Sequence, residues 1–281
     1  MNPLPSSEET VAFPTPVLIF EKRSARLSFL APGHSIGAFL EAMARLAESQ
    51  LSALQTQSPA DTTAPPMLPF DVHHHLYGED WFKALDVIVS GMQRTPLPAP
   101  AQAALSRLAT AAPQALESSA RAVLDGKCAG TDLAAAPFLA AALQVYWTGL
   151  ASRVQGVAAE RSIRVCPVCA SPPVAGVVLR GRGLRYLCCS LCATRWYVPR
   201  LTCANCGSTA GVSYFTVDGD RSGTKAEACS ACRSYLKLFY LETNPEAEAF
   251  ADDLATLSLD LLMSDRSYGR SGANLFLLSR E

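Results

Sequence analysis

Arg164-Val-Cys166-Pro-Val-Cys169 opens a stretch that closes, after an interval of 19 residues, on Cys189-Ser-Leu-Cys192. The plan repeats at once: Leu201-Thr-Cys203-Ala-Asn-Cys206, an interval of 22 residues, then Cys229-Ser-Ala-Cys232. Two residues between cysteines let a tight turn aim both sulfurs at one point, with backbone amides directed at the same atoms. Two such turns, brought together by a β-hairpin, make a tetrahedral S4 cage suited to zinc or iron. A single CxxC is a weak signal; four in two equivalent pairs make a strong one. The expected ligand sets are therefore Cys166, Cys169, Cys189 and Cys192, then Cys203, Cys206, Cys229 and Cys232. Interleaved pairing of the cross-brace kind is the alternative.

Disulfides explain the pattern less well. A CxxC disulfide closes a strained small ring and would not hold a hairpin together. A thiol–disulfide oxidoreductase would need a βαβ context around its CxxC, and the sequence offers none. Cys188 in place of Cys189 would give CxxxC, so it is read as a spare, and Cys128 as a buried helix residue. A module of about 40 residues has too small a core to fold alone. A structural metal supplies on the order of 10 kcal/mol or more of apparent binding free energy. From the residues alone zinc is favoured over iron, and spacing does not decide.

Outward from this stretch the composition changes. The chain has 281 residues, 49% hydrophobic and 17% charged, with a formal net charge of -1. That describes a folding chain with room for more than one unit. Residues 1–32 read as an irregular leader, with prolines at 3, 5, 14, 16 and 32. Ser35 is expected to cap a helix carrying Ile36, Phe39, Leu40, Met43, Leu46 and Leu54 at helical spacing. A second helix starts near Glu79, with Trp81, Leu85, Ile88 and Met92 on one side. Alanine-rich helices follow at about 100–111, 114–125 and 132–158, with no strand period before residue 160. Short β-type runs then occupy Val174–Leu179, Leu184–Leu187, Val212–Val217 and Ser234–Leu241. A last helix is expected from Asn244, with Phe250, Leu254, Leu257 and Leu261 as its buried stripe. The fold class expected is multidomain α+β: a helical domain over 1–160, two tandem rubredoxin-like or zinc-ribbon-like modules over 161–200 and 201–243, and a C-terminal helix and tail over 244–281.

Leu133–Leu150 runs 18 residues without a charge, near the minimum for a membrane span. Its alanines, Pro137, Gln144 and Thr148 fit the centre of a helical domain better, so no span is expected. The start of the sequence lacks the basic and apolar regions of a signal peptide, and a cytoplasmic location is expected. Asp71, His73, His74, His75 and Glu79 cluster, but no second ligand set pairs with them, and they are read as a surface loop of undetermined role. From Arg161 to Arg200 there are seven arginines and no Asp, Glu or Lys. Such a surface could bind phosphates or dock an acidic protein face. No catalytic triad, phosphate loop or carboxylate pair stands out.

The helical first half, the two tandem cysteine sets, and the closing run from Asp252-Asp-Leu to Ser267-Tyr-Gly-Arg-Ser-Gly-Ala-Asn-Leu-Phe resemble the formate dehydrogenase accessory (formation) proteins, FdhE. The likeness covers most of the chain from about residue 30. It implies a cytoplasmic assembly factor, not an enzyme, with a helical domain and two rubredoxin-like modules. It also implies iron in both four-cysteine sites, with zinc as the alternative occupant, and the catalytic subunit of respiratory formate dehydrogenase as partner. A homodimer stays open, and nucleic acid is not the expected partner. Two other readings stand beside it: a rubredoxin-type electron carrier, and a zinc-ribbon nucleic-acid binder using the arginine stretch.

Overall fold

In a computed structural model, which describes residues 10–56, 72, 80–126, 132–154 and 164–277, helices fill the first half and a sheet the second. The chain runs β1 (Val11–Ala12), α1 (Pro16–Leu30), α2 (Gly37–Ala53), α3 (Asp80–Met92), α4 (Ala99–Leu108), α5 (Pro113–Leu124) and α6 (Ala136–Ala151). It continues through β2 (Pro173–Val178), β3 (Arg185–Cys189), β4 (Arg195–Tyr197), β5 (Val212–Phe215), β6 (Thr224–Cys229) and β7 (Ser234–Tyr240). It ends with α7 (Ala249–Ala255), α8 (Leu257–Asp265) and β8 (Gly269–Arg270).

The charge-free run around Leu143 is the axis of the helical half. In α6 every residue but Pro137 is buried, and α1, α2, α3 and α5 pack around it. A helix apolar on all sides needs such a jacket. No helix among the described residues is long and apolar enough to cross a membrane.

One expectation fails here. Residues 16–30, read as irregular, form α1. Pro16 sits in the first turn, where its missing amide costs nothing. The inner face carries Phe20 and Leu27 but also the buried cations Arg23 and Arg26, and these hid its period. Arg26 makes a bidentate pair with Asp252 of α7, at 2.7 and 2.9 Å. The Arg23 guanidinium stacks 4.2 Å from the Phe250 ring and lies 3.6 Å from Glu248. Nor does Ser35 cap α2. The ring Nδ1 of His34 accepts the Ile36 amide at 3.2 Å, and its Nε2 lies 3.0 Å from the Ala255 carbonyl, linking α2 to the end of α7.

The strands build one sheet in the order β1-β4-β3-β2-β7-β6-β5, with β8 beside β7. Each cysteine module is an antiparallel meander, β2-β3-β4 and β5-β6-β7. The meanders join through a parallel pairing of β2 and β7, with Gly176 opposite Leu238 and Val178 opposite Tyr240. A Cβ on Gly176 would lie 2.6 Å from the Leu238 side chain and 3.3 Å from that of Leu187, so a larger residue there would have to push these buried leucines aside. β1, from the expected leader, pairs with β4 at the sheet edge.

Two buried ion pairs lock this arrangement. Arg185 on β3 reaches past β2 and β7 to pair with Glu227 on β6, and both side chains are buried. Its remaining donors meet the carbonyls of Val198, Pro199 and Thr202 at 3.3, 2.7 and 2.7 Å. Lys237 on β7 donates to the Asp253 carbonyl at 2.9 Å and lies 2.6 Å from the Asp260 carboxylate. The expected single helix from Asn244 is instead two. Glu248 caps α7 by accepting the Ala251 amide, and the chain breaks at Thr256. The break turns Leu259 and Met263 into a small core with Ala226, Ala228 and Tyr235. Leu257 is then half-buried and Leu261 is 69% exposed, against expectation.

Candidate metal centres

Each CxxC sits in the same small loop. The residue after each pair, Ala170, Ala193, Gly207 and Arg233, has a positive φ of 57°, 57°, 77° and 55°. This left-handed residue turns the chain so that an amide reaches back: Ala170 to the Cys166 carbonyl at 2.9 Å, Gly207 to that of Cys203 at 3.0 Å. One residue on stands Ser171, Thr194, Ser208 or Ser234. The carbonyls of Ser171, Thr194 and Ser208 accept the amides of Cys166, Cys189 and Cys203 at 2.8–2.9 Å. Amides also point at the sulfurs: Val168 to Cys166, Leu191 and Cys192 to Cys189, Asn205 and Cys206 to Cys203, all at 3.4 Å.

The loops bring together the two expected groups, paired within each module and not interleaved. In each group the four sulfurs lie within 4.8 Å of one another. In cage one, Cys166–Cys192, Cys169–Cys189 and Cys169–Cys192 are 3.6, 3.4 and 3.5 Å apart. In cage two, Cys203–Cys232 and Cys206–Cys229 are 3.6 and 3.7 Å apart. A tetrahedron with metal–sulfur arms of about 2.3 Å has edges of about 3.8 Å, whereas a disulfide needs about 2.05 Å. The described cysteines are all free thiols. The donor set and its size fit a thiophilic ion, zinc or iron, without choosing between them.

The surroundings differ. All four sulfurs of cage one are buried, while Cys206 and Cys232 of cage two are half-exposed. Burial pushes the Cys166 and Cys189 thiols up. Burial also opposes charge on Cys169, but hydrogen bonds from Cys166, Cys189, Cys192 and Ser171 overcome it and hold that thiol well below its usual range. In cage two, burial raises Cys203 to about 12. Cys232 comes down to about 6, because the Ser234 hydroxyl, 3.0 Å away, and other donors outweigh its burial. A metal entering either cage must displace the protons that burial favours on Cys166, Cys189 and Cys203.

The helical half touches cage one directly. Gln144 of α6 donates to the carbonyl of Ser190, inside the Cys189–Cys192 loop, at 2.8 Å, and accepts from Arg23 at 3.0 Å. Cys188 stays out of the cage; burial pushes its thiol up to about 12. Of the seven arginines, Arg185 is consumed internally, Arg195 is half-buried, Arg164, Arg180, Arg182 and Arg200 are exposed, and Arg161 lies outside the described residues. So do Asp71, His73, His74, His75, Glu79 and Cys128. The sequence reading missed the left-handed residue and the hydroxyl residue after each pair. The hydroxyl was visible, as Ser or Thr recurs two positions after every second cysteine.

Comparison with known proteins covers the chain end to end. Family models match in three consecutive parts: FdhE, N-terminal over residues 8–163, FdhE, central domain over 165–200 and FdhE, C-terminal domain over 201–277. Protein FdhE of Escherichia coli O1:K1 / APEC is 35% identical across 99% of this chain and 96% of its own. A Protein FdhE homolog of Citrobacter koseri is 35% identical across 96% and 91%. The crystal structure of the FdhE protein from Pseudomonas aeruginosa superimposes with a TM-score of 0.88 at 33% identity, covering 96% of this chain and 99% of that one. With all three parts of the family present in order, and relatives above 30% identity over nearly their full length, the chain belongs to the FdhE family.

Proposed function

We propose that this chain is an accessory factor in the formation of active respiratory formate dehydrogenase, not an enzyme itself. In this reading it binds the catalytic subunit in the cytoplasm and carries one metal ion in each four-cysteine cage. The observation that carries it is the combination of end-to-end FdhE likeness with two complete S4 clusters in one sheet. Cys166, Cys169, Cys189 and Cys192 hold one ion, and Cys203, Cys206, Cys229 and Cys232 the other. Iron is the proposed occupant, with zinc as alternative; iron would bring a one-electron couple, zinc only cross-linking. The chain's own part is to fix the sulfurs with amides and hydroxyls, and to tether cage one to the helical half through Gln144. The division into a helical part over 1–160, rubredoxin-like modules over 161–200 and 201–243, and a C-terminal part over 244–281 belongs to the same reading. The nucleic-acid alternative has exposed arginines at 164, 180, 182 and 200 but no support from the FdhE likeness.

The test is a deletion strain grown on conditions that require respiratory formate dehydrogenase. Activity should be lost and return with the wild-type chain, but not with Cys169→Ser or Cys206→Ser. Normal activity in the deletion strain would overturn the proposal.

A further inference from the structure

A cavity of about 340 Å³ opens between α1, the β2–β3 hairpin and the chain entering α7. Its volume lies within the roughly 300–1,000 Å³ of ligand pockets. The floor is apolar: Ile19, Val177, Leu241 and Phe250 contribute to it. Around that floor stand four cations, Lys22, Arg23, Arg180 and Arg195, against two carboxylates, Glu246 and Glu248. Glu248 is already engaged, as it caps α7 and lies 3.6 Å from Arg23. Arg23 remains under-compensated: its side chain is 4% exposed and its Nε has no acceptor among the described residues. Lys22 and Arg180 have no ion pair among the described residues, and Arg180 is exposed. The cavity therefore combines apolar walls with two cations, Lys22 and Arg180, that no described carboxylate pairs.

From this we infer that the cavity is a peptide-binding site, taking a partner segment in which an aliphatic or aromatic side chain is flanked by carboxylates. The apolar side chain would rest on Ile19, Val177 and Phe250, and the carboxylates would meet Lys22 and Arg180 at the rim. An inorganic anion would leave the apolar walls unused, and a basic segment would meet like charge, which costs affinity. Cys189 and Ala193 of a cage-one loop form part of the same wall, so the segment would lie against the metal module and the helical half together. That the segment belongs to a client enzyme rests on the function proposed above; the chemistry of the site does not.

The experiment uses the full chain loaded with zinc and a fluorescein-labelled peptide alternating Asp or Glu with Leu and Phe, followed by fluorescence anisotropy. The charge-reversed peptide, with Lys at each acidic position, is the control. The acidic peptide is expected to bind at least tenfold more tightly than the basic one, and to weaken as salt rises. Lys22→Glu with Arg180→Glu, on a half-buried and an exposed side chain, should weaken it at least tenfold. Val177→Trp, which fills the floor, should do the same. Equal binding of both peptides, or unchanged binding to the charge-reversed variant, would overturn the inference. Either result would leave the deletion-strain test of the overall function untouched.

Discussion

Replacing Glu227 by alanine strands the Arg185 guanidinium in the sheet, where it is 0% exposed. Its three backbone carbonyls remain, but no anion does. Breaking a buried pair in this way costs about 3–5 kcal/mol, because the surviving charge cannot be solvated. Tyr214, which donates to the other Glu227 oxygen at 3.0 Å, loses its acceptor too. That adds about 0.5–1.5 kcal/mol. The ion-pair term alone lowers the folded-to-unfolded ratio by roughly 150- to 4,000-fold. The assay is urea unfolding at fixed free zinc, followed by the fluorescence of the buried Trp81, Trp147 and Trp196. The double substitution Arg185→Met with Glu227→Leu removes both charges and should recover most of the loss, since apolar replacement of a buried pair is often neutral. A Glu227→Ala midpoint within about 1 kcal/mol of wild type would refute the reasoning. So would a double variant no better than the single.

Cys169→Ser and Cys206→Ser should each drop bound zinc from two equivalents to one, and a chelator should empty cage two before cage one, because Cys206 and Cys232 are half-exposed. Colorimetric zinc release checks both, and simultaneous release would contradict the difference in burial. Cage-two affinity should rise with pH between 6 and 9, since Cys203, held near 12 by burial, must lose a proton to bind. Below about 6 Cys232 also takes up a proton and release should steepen; a flat competition titration across that window would count against this. Gly272→Ala puts a Cβ 1.7 Å from the Pro173 carbonyl oxygen, beside the first cysteine loop, and should cost about 1–3 kcal/mol. Gly269→Ala, which meets nothing within 4 Å, is the control, and equal melting temperatures would rule the clash out.

The cages were legible because their signal is local. Sulfurs two residues apart, repeated at matching intervals, need little from elsewhere in the chain. Four of the module strands followed, but β4 and β6 did not: Thr224-Lys-Ala-Glu-Ala-Cys229 has weak strand propensity and is a strand because β5 and β7 flank it. What stayed hidden depends on distant partners. Arg23 and Arg26 look like surface residues until the carboxylates of α7 are brought to them. The break at Thr256 belongs with Lys237, which needs oxygens from both sides of it. The joining of the two modules by β2 and β7 leaves no mark in either strand beyond Gly176.

Arg26 and Asp252 are 226 positions apart. At roughly 5–20 residues per second, synthesis takes about 11–45 s to cover that distance. During that interval α1 presents two uncompensated cations and an unfinished apolar face. The packing of α1 on α2 does not wait for α7, but Arg26 and Arg23 gain their carboxylates only after both cysteine sets have been synthesised. The first helix is therefore joined to α7 late, and a chain cut before α7 would leave Arg26 without its carboxylate partner.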